Sequence, residues 1–244
     1  MRIFGLLGRS LGHSFSQKYF REKFAKEEIL NCDYRLFEMA GIEEFPNLIS
    51  SEVELSGLNV TIPYKKSIID FLQELTPEAK EIGAVNTIQF LNNGNLKGHN
   101  TDIIGFEKSL RPVLQGHLER ALILGSGGAA AAVAFVLRKV GIQYNMVSSS
   151  AKEGCVSYDQ LTKSAIEGHF LIINTTPVGQ YPNIHDAPKI PYEAIGPRHV
   201  CLDLIYNPAE TEFVRRAKVQ GAWTDNGLSM LYAQANAAWE IWNK

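Results

Sequence analysis

The sequence has few cysteines, and they are not arranged to form a cross-link or a metal site. Cys32, Cys155 and Cys201 are odd in number and far apart. None has the spacing of a zinc knuckle or a redox pair, and the six histidines also lack paired ligand spacing. We therefore expect reduced thiols, a cytoplasmic location and no bound metal.

Neither charge sign is in excess, and long apolar runs are scarce. The 24 basic and 26 acidic residues form no run of like charge, which argues against the clustered basic face of a nucleic-acid-binding protein. The apolar stretch at the amino terminus is too short for a signal peptide. Residues 121–137 lack charge for 17 positions, near the lower limit of a membrane span. Their Gly-Ser-Gly-Gly break fits a buried strand, turn and helix better, so we expect a soluble protein without membrane contact.

Short apolar strands alternate with helical stretches along the 244 residues. This alternation predicts an α/β fold with parallel sheets and crossover helices, in one large or two smaller domains. The predicted strands are residues 2–8, 34–39, 55–62, 144–149, 170–175 and 199–205, with a hairpin at 85–100 that turns at Asn93-Gly94. The predicted helices are residues 14–29, 65–75, a short one that begins after Thr76, 100–112 between the halves, and 227–242.

A glycine-rich turn joins a strand to a helix in "LILGSGGAAAA". Gly125 permits a tight turn, Gly127 lets the backbone approach a pyrophosphate, Gly128 follows it, and Ala130 takes the third small position of the motif. Free N–H groups at the helix start would face the phosphates. Many glycine turns are plain connectors, but in this strand-turn-helix context we favour dinucleotide binding.

The end of the next strand bears on the choice between the two nicotinamide cofactors. It reads Ser148, Ser149 and Ser150, followed by Lys152. An NAD site usually places an acid here for the ribose 2′-hydroxyl, and this chain has none. It has no arginine for a 2′-phosphate either, so the hydroxyl donors and one lysine are what favour NADP. The alternative is that the three serines only form a polar turn.

Small polar residues follow several strands of the first half, where an open α/β sheet places its ligands. Each has a structural explanation: Ser14 has capping-box spacing with Gln17, Asp102 could cap a helix, and Lys65 could be a solvated helix residue. Together they suit a small polyhydroxylated acid held by many hydrogen bonds. The set comprises Ser14, Ser16, Asn59, Thr61, Lys65, Asn86, Asn100, Thr101 and Asp102.

Eight ordered motifs give the chain a resemblance to the shikimate dehydrogenases. They are "GRSLGHSFS", "GLNVTIPYK", "GAVNT", "GHNTDIIGF", "GSGGAA", "NTTPVG", "DLIYNPAET" and "NGLSMLYAQ", and they extend from Gly8 to Gln234. The resemblance implies an N-terminal α/β substrate domain, a Rossmann-type NADP-binding domain and an active-site cleft between them. We expect the substrate domain at residues 1–101, joined by the C-terminal helix of about 228–244, and the Rossmann domain at 102–227.

The resemblance also implies a role for each matching residue. Lys65 and Asp102 would be the catalytic pair, and Ser14 and Ser16 would bind the substrate carboxylate. Other substrate contacts would come from Thr61, Asn86, Asp102, Tyr206 and Gln234. Cofactor contacts would come from Gly125, Ser126, Gly127, Gly128, Ala129, Ser148, Ser149, Ser150, Lys152, Leu204 and Gly227.

Lys65 would serve the reduction of 3-dehydroshikimate as a proton donor. Hydride addition to the C3 carbonyl creates an alkoxide, which a positioned cation stabilises and then protonates. A nearby carboxylate raises the pKa of a lysine and burial lowers it, so we assign Lys65 and Asp102 jointly and favour Lys65 for proton transfer.

Two departures from the family pattern bear on this interpretation. Ser10 and Gln17 stand where the family usually has prolines, and Ser148-Ser149-Ser150 replaces Asn-Arg-Thr. The missing arginine keeps open a quinate/shikimate dehydrogenase that uses NAD. A non-catalytic sensor of shikimate-like ligands is a further alternative, although such a sensor has no need of the catalytic pair. We expect a monomer or homodimer.

Overall fold

A computed structural model of the protein describes residues 1–12, 14–150 and 153–244, and Lys152 lies outside these ranges. The chain divides into two compact units. Unit 1 comprises Met1–Thr101 and Ala235–Lys244, and unit 2 comprises Asp102–Gln234. Within the described ranges, no helix is both long enough and apolar enough to cross a membrane.

Unit 1 is built on a six-stranded mixed sheet. Its elements are β1 (Arg2–Gly8), α1 (Phe15–Lys26), β2 (Cys32–Glu38), α2 (Phe45–Ser51), β3 (Leu55–Val60), β4 (Glu74–Leu75), α3 (Pro77–Ile82), β5 (Thr87–Phe90) and β6 (Leu96–His99). The strand order is β2-β1-β3-β5-β6-β4. Strands β1, β2 and β3 are parallel, as predicted, but β5 is antiparallel to both β3 and β6. The β5–β6 pair is the predicted hairpin, so the expectation of a parallel sheet is wrong only where β5 joins β3.

The helix predicted at residues 65–75 is wrong. Only Ser67–Phe71 is helical, as a 3-10 helix, and Glu74–Leu75 pairs with β6 as the edge strand β4. Gln73 explains the change, because its N–H donates to the Leu96 carbonyl at 3.2 Å and its Oε1 accepts from the Leu96 N–H at 2.8 Å. These bonds draw the chain to the sheet edge, and this distant pairing outweighs the local helical pattern.

Local signals predicted the neighbouring elements correctly. Thr76 caps α3 by accepting a hydrogen bond from the Ala79 N–H, and Pro77 follows at the first helical position. The hairpin of β5 and β6 turns at Gly94, which has φ +84°. A glycine accepts this left-handed backbone without strain.

Both faces of the unit 1 sheet are covered. Successive residues of β1 point to opposite sides, so Ile3 and Leu7 pack in one apolar cluster and Phe4 in the other. The last helix, α8 (Leu228–Trp242), contributes its final residues to the Phe4 side. Trp242 stacks on Phe4 at 4.9 Å between ring centroids, and its Nε1 donates to the Ile88 carbonyl at 3.0 Å.

Unit 2 is a doubly wound parallel sheet. Its elements are α4 (Asp102–Leu110), β7 (Arg120–Leu124), α5 (Gly128–Lys139), β8 (Gln143–Ser148), β9 (Cys155–Ser157), α6 (Lys163–Glu167), β10 (Leu171–Asn174), β11 (Val200–Asp203), α7 (Glu212–Val219) and β12 (Trp223–Asp225). The order β12-β11-β10-β7-β8-β9, with every pair parallel, is the Rossmann topology. Its switch point lies between β7 and β10, where ligands bind beyond the carboxyl ends of the strands.

A buried carboxylate joins two loops at this carboxyl edge. Asp203 accepts hydrogen bonds from Asn174 Nδ2 at 3.0 Å, from the Ile205 N–H at 3.0 Å and from Thr211 Oγ1 at 2.6 Å. The Thr211 hydroxyl in turn caps α7. Burial raises the pKa of Asp203 to about 6, although these three hydrogen bonds oppose the rise.

Trp242→Ala should lower the free energy of unfolding by about 3–5 kcal/mol, because it leaves a cavity and removes the hydrogen bond to Ile88. Trp223→Ala is the matched control: Trp223 is 46% exposed, so its removal should cost about 0.5 kcal/mol or less. Urea unfolding followed by circular dichroism measures both. Equal losses would contradict the packing described for α8.

Asp203→Asn should flatten the pH dependence of stability. The unfolded chain loses this proton near pH 4, whereas the folded protein keeps it to about pH 6. The wild type therefore loses stability as pH rises through this window, on the order of 3 kcal/mol in all, and the variant should not. Urea unfolding from pH 4 to pH 8 gives the difference between the two proteins, and a constant difference would contradict the raised pKa.

Candidate active site

A buried hydrogen-bond network underlies the carboxyl edge of the unit 1 sheet. The Asn86 side-chain oxygen accepts from the Thr101 N–H at 2.7 Å and from the hydroxyls of Thr101 and Thr87 at 3.1 and 3.2 Å. Asn59 donates to the Asn86 carbonyl at 3.3 Å and accepts from the Tyr34 hydroxyl at 2.8 Å. Asn59 lies near the end of β3, Asn86 directly before β5 and Thr101 after β6. The network therefore fixes these three strand ends relative to one another.

Lys65 lies in the turn that follows β3, and not in a helix. Its carbonyl accepts from the Val85 N–H at 2.7 Å. The preceding Tyr64 is buried and donates its hydroxyl to the Met39 carbonyl at 2.6 Å. The turn is thus anchored on both sides of Lys65, which is half-buried, while Lys66 is exposed. A solvated helix residue, the structural alternative for Lys65, does not describe this position.

Thr61 precedes the same turn and is held by its backbone. Its N–H donates to the Leu7 carbonyl at 2.9 Å, and its carbonyl accepts from the Tyr64 N–H at 3.0 Å. Thr61, Lys65 and Asn86 therefore all lie at the carboxyl edge of unit 1.

Ser14 and Ser16 lie at the start of α1. Ser14 caps the helix by accepting from the Ser16 N–H at 3.3 Å. The capping box with Gln17 does not form, because Gln17 instead donates its side-chain amide to the Tyr34 carbonyl at 3.2 Å. Burial raises the pKa of Tyr34 above its usual range, opposed by a hydrogen bond with the Ser16 side chain. A continuous path of hydrogen bonds thus links Ser16 through Tyr34 and Asn59 to Asn86.

The remaining candidate substrate residues belong to unit 2. Asp102 is the first residue of α4 and not its cap, and it is 6% exposed. Gln234 lies in α8, which approaches α4 closely at Gly105, where any side chain would meet the Met230 carbonyl at 2.7 Å. Tyr206 is half-buried in the loop after β11, the loop that Asp203 ties down.

The glycine turn after β7 has the backbone of a phosphate site. Gly125 has φ +117°, and a side chain there would lie 2.5 Å from Thr175 Oγ1, so only glycine fits. Gly127 caps α5, and a side chain on it would extend into open space. Gly128 and Ala129 form the first turn of α5, and their N–H groups are at a helix start. This space fits the pyrophosphate of a dinucleotide.

Serine hydroxyls line the end of β8. Ser148 is buried and lies 3.2 Å from the hydroxyls of both Ser126 and Ser150, while Ser149 is exposed. Hydroxyl donors without an acid or an arginine fit either ribose form of the cofactor. The predicted contact from Lys152 lies outside the described residues.

The two remaining cofactor candidates contact each other. The Leu204 carbonyl lies against Gly227, where any Cβ would collide with it, and the Gly227 N–H donates to the Ile205 carbonyl at 3.0 Å. Gly227 therefore has to be glycine for the loop after β11 to pack against the start of α8. No cluster of three or more His, Cys, Asp or Glu side chains suited to a metal occurs in the part of the chain that the structure describes.

Sequence reasoning missed the supporting residues of this site. Tyr34 gave no signal, because a tyrosine in a strand is typical of a core residue. Asn174 and Asp203 lie inside recognised motifs, but nothing in the sequence showed that their side chains bond to each other.

Comparisons with known proteins agree with this geometry. The family model of the shikimate dehydrogenase substrate-binding domain matches residues 6–88. A "Shikimate dehydrogenase (NADP(+))" of Clostridium beijerinckii is 38% identical, over 100% of this chain and 93% of that protein. A crystal structure of a shikimate dehydrogenase in complex with NADP+ has 34% identity and a TM-score of 0.88, covering 99% of this chain and 90% of the other.

A quinate dehydrogenase of Corynebacterium glutamicum in complex with NAD is also similar, with 25% identity and a TM-score of 0.86 over 99% of this chain and 93% of the other. The curated relatives thus match this chain over nearly its full length at more than 30% identity. The chain belongs to the shikimate dehydrogenase family.

Proposed function

We propose that this protein is an NADP-dependent shikimate dehydrogenase, which reversibly reduces 3-dehydroshikimate to shikimate in aromatic amino acid biosynthesis. The observation that carries the proposal is the buried network that holds Asn86 at the same sheet edge as Thr61 and Lys65. Donors and acceptors fixed in this way suit a ring with several hydroxyls, because each hydroxyl needs an oriented partner.

Each candidate side chain takes one part of the substrate. The hydroxyls of Ser14 and Ser16 bind the carboxylate. Thr61, Asn86 and Gln234 bind ring hydroxyls, and Tyr206 lines the same substrate. Asp102 accepts a hydrogen bond from a ring hydroxyl and is the second member of the catalytic pair.

Unit 2 binds the cofactor. The turn from Gly125 to Ala129 takes the pyrophosphate, and Ser148, Ser149 and Ser150 take the adenosine ribose and its 2′-phosphate. Leu204 and Gly227 lie beside the nicotinamide. When bound, NADPH supplies the hydride for the reduction. The relatives named as NADP enzymes support this cofactor.

Lys65 moves the proton. In the reduction, its ammonium stabilises the oxygen of the C3 carbonyl as negative charge develops and then donates a proton to it. In the oxidation, its amine accepts that proton. The anchored turn fixes the backbone from which the Lys65 side chain extends.

A quinate/shikimate dehydrogenase that uses NAD is the second candidate function. The absence of arginine from Ser148–Ser150 favours it, and so does the similarity to a quinate dehydrogenase in complex with NAD. The lack of an acid at the same three positions favours NADP. Three free cysteines support the cytoplasmic location that we propose, and a monomer or homodimer stays our prediction.

The test is the rate of nicotinamide absorbance change with purified protein, comparing shikimate with quinate and NADP with NAD. The proposal predicts a strong preference for shikimate with NADP. Comparable rates with quinate or NAD would move the protein to the second candidate function. Binding of shikimate without any turnover would leave only a ligand sensor.

Lys65→Ala should lower kcat by about 10²–10⁴-fold, because it removes the proton-transfer group, while the Kd for shikimate changes by much less. Lys66→Ala is the matched control: it removes the exposed neighbouring lysine and should leave both values unchanged. Steady-state kinetics and isothermal titration calorimetry give the two quantities. A lost affinity with normal turnover would make Lys65 a binding residue.

A further inference from the structure

We propose that Glu38 and Gln17 are positioning residues, which fasten Ser14 and Ser16 to the edge of the unit 1 sheet so that their hydroxyls meet the substrate carboxylate. The inference rests on the proposed function, which assigns the carboxylate to these two serines. It adds to the substrate machinery Glu38, which lies outside the family motifs, and Gln17, which stands where the family usually has a proline.

The first attachment is at Gln17. Strand β2 is an edge strand, and the Tyr34 N–H is taken by Asp33 Oδ1 at 2.8 Å and not by a neighbouring strand. The N–H and C=O of one strand residue point the same way, so the Tyr34 carbonyl also faces out of the sheet. Gln17 Nε2 donates to this carbonyl at 3.2 Å. The start of α1 is thereby hydrogen-bonded to the open edge of the sheet.

The second attachment is at Glu38, the last residue of β2. Its Oε1 accepts from the Leu11 N–H at 2.6 Å, a charge-assisted hydrogen bond. The Leu11 carbonyl accepts from the Ser14 N–H at 2.8 Å, and the Leu11 side chain is buried against the aromatic cluster of unit 1. Glu38 therefore acts on Ser14 through one intervening residue.

The two attachments bracket both serines. One acts at residue 11 and the other at residue 17, and Ser14 and Ser16 lie between them. Proline would restrict the backbone at positions 10 and 17 through its ring, but this chain has Ser10 and Gln17. Here side-chain hydrogen bonds to one strand supply the restriction that a ring would give.

Fixed hydroxyls matter because a carboxylate held by two donors needs both in place within about 0.5 Å. If the segment moves, both donors lose their geometry together, whereas Lys65 and Asn86 are held by other contacts. Loss of either attachment should therefore weaken substrate binding and leave the chemical step unchanged.

The experiment compares Glu38→Ala and Gln17→Ala with matched controls in the same unit. Glu44→Ala removes a carboxylate that accepts from the N–H groups of Ala40 and Gly41. Gln73→Ala removes a glutamine that also bonds to backbone, at the Phe71 carbonyl and the Leu96 N–H, but away from Ser14 and Ser16. Steady-state kinetics are measured with shikimate and with its methyl ester, which has the same ring but no anionic carboxylate.

Each test variant should raise the KM for shikimate about tenfold, as expected for one lost hydrogen bond of this kind, and change kcat less than about twofold. The KM for the methyl ester should change less than about twofold, and Glu38→Gln, which keeps an acceptor oxygen, should recover part of the affinity. An equal effect on acid and ester, or an effect no larger than that of the controls, would overturn the proposal.

Hydrogen exchange separates this proposal from the proposed function. Exchange of the Leu11 and Ser14 amides should be faster in Glu38→Ala than in the wild type and unchanged in Glu44→Ala, whatever ligand the protein binds. Unchanged exchange in Glu38→Ala would overturn the proposed role of the Glu38 attachment. Faster exchange in Glu38→Ala, together with a wild type that fails to bind shikimate, would instead reject the proposed function and leave this proposal standing.

Discussion

Buried amides and hydroxyls need hydrogen-bond partners, and this constraint shapes the carboxyl edge of the unit 1 sheet. Asn59, Asn86, Thr87 and Thr101 are almost fully buried, so each must find partners on neighbouring strands. They find them in one another, and the strand ends are thereby fixed. The network reaches Thr101, the last residue of unit 1 before Asp102 begins α4. Of the proposed substrate residues, Asn86 takes its position directly from this network.

The two units form their proposed binding sites in different ways. Unit 1 uses side chains that other side chains hold in place, as the Ser16 side chain bonds to Tyr34 and the Asn59 side chain to Tyr34 and Thr87. Unit 2 uses the backbone, since Gly125 forms the tight turn and Gly127 leaves open space before the N–H groups at the start of α5. A ring with several hydroxyls requires directional partners, whereas a pyrophosphate requires room and a positive helix end. The arrangement thus matches one unit to a polyol acid and the other to a dinucleotide.

Local signals in the sequence were enough to predict much of the fold. Thr76-Pro77 marked a helix start and Asn93-Gly94 a hairpin, because capping and turn geometry depend on a few adjacent residues. The helix at 65–75 was wrong because Gln73 pairs with Leu96, a contact that no local pattern shows. Positions after the predicted strands identified the polar residues of the first half, and the order of motifs along the whole chain supplied their roles and the remaining site residues. The supporting contacts of Tyr34, Glu38 and Asp203 could not be predicted, since each joins segments that only the folded chain brings together.

The central claim is a direct hydride transfer between a ring acid bound by unit 1 and a nicotinamide bound by unit 2. The most direct measurement uses shikimate that carries deuterium at the carbon to be oxidised, incubated with NADP and analysed by NMR. The account predicts one deuterium at C4 of the nicotinamide for each shikimate oxidised, and none released to water. Deuterium appearing in water, or no transfer although both ligands bind, would contradict it.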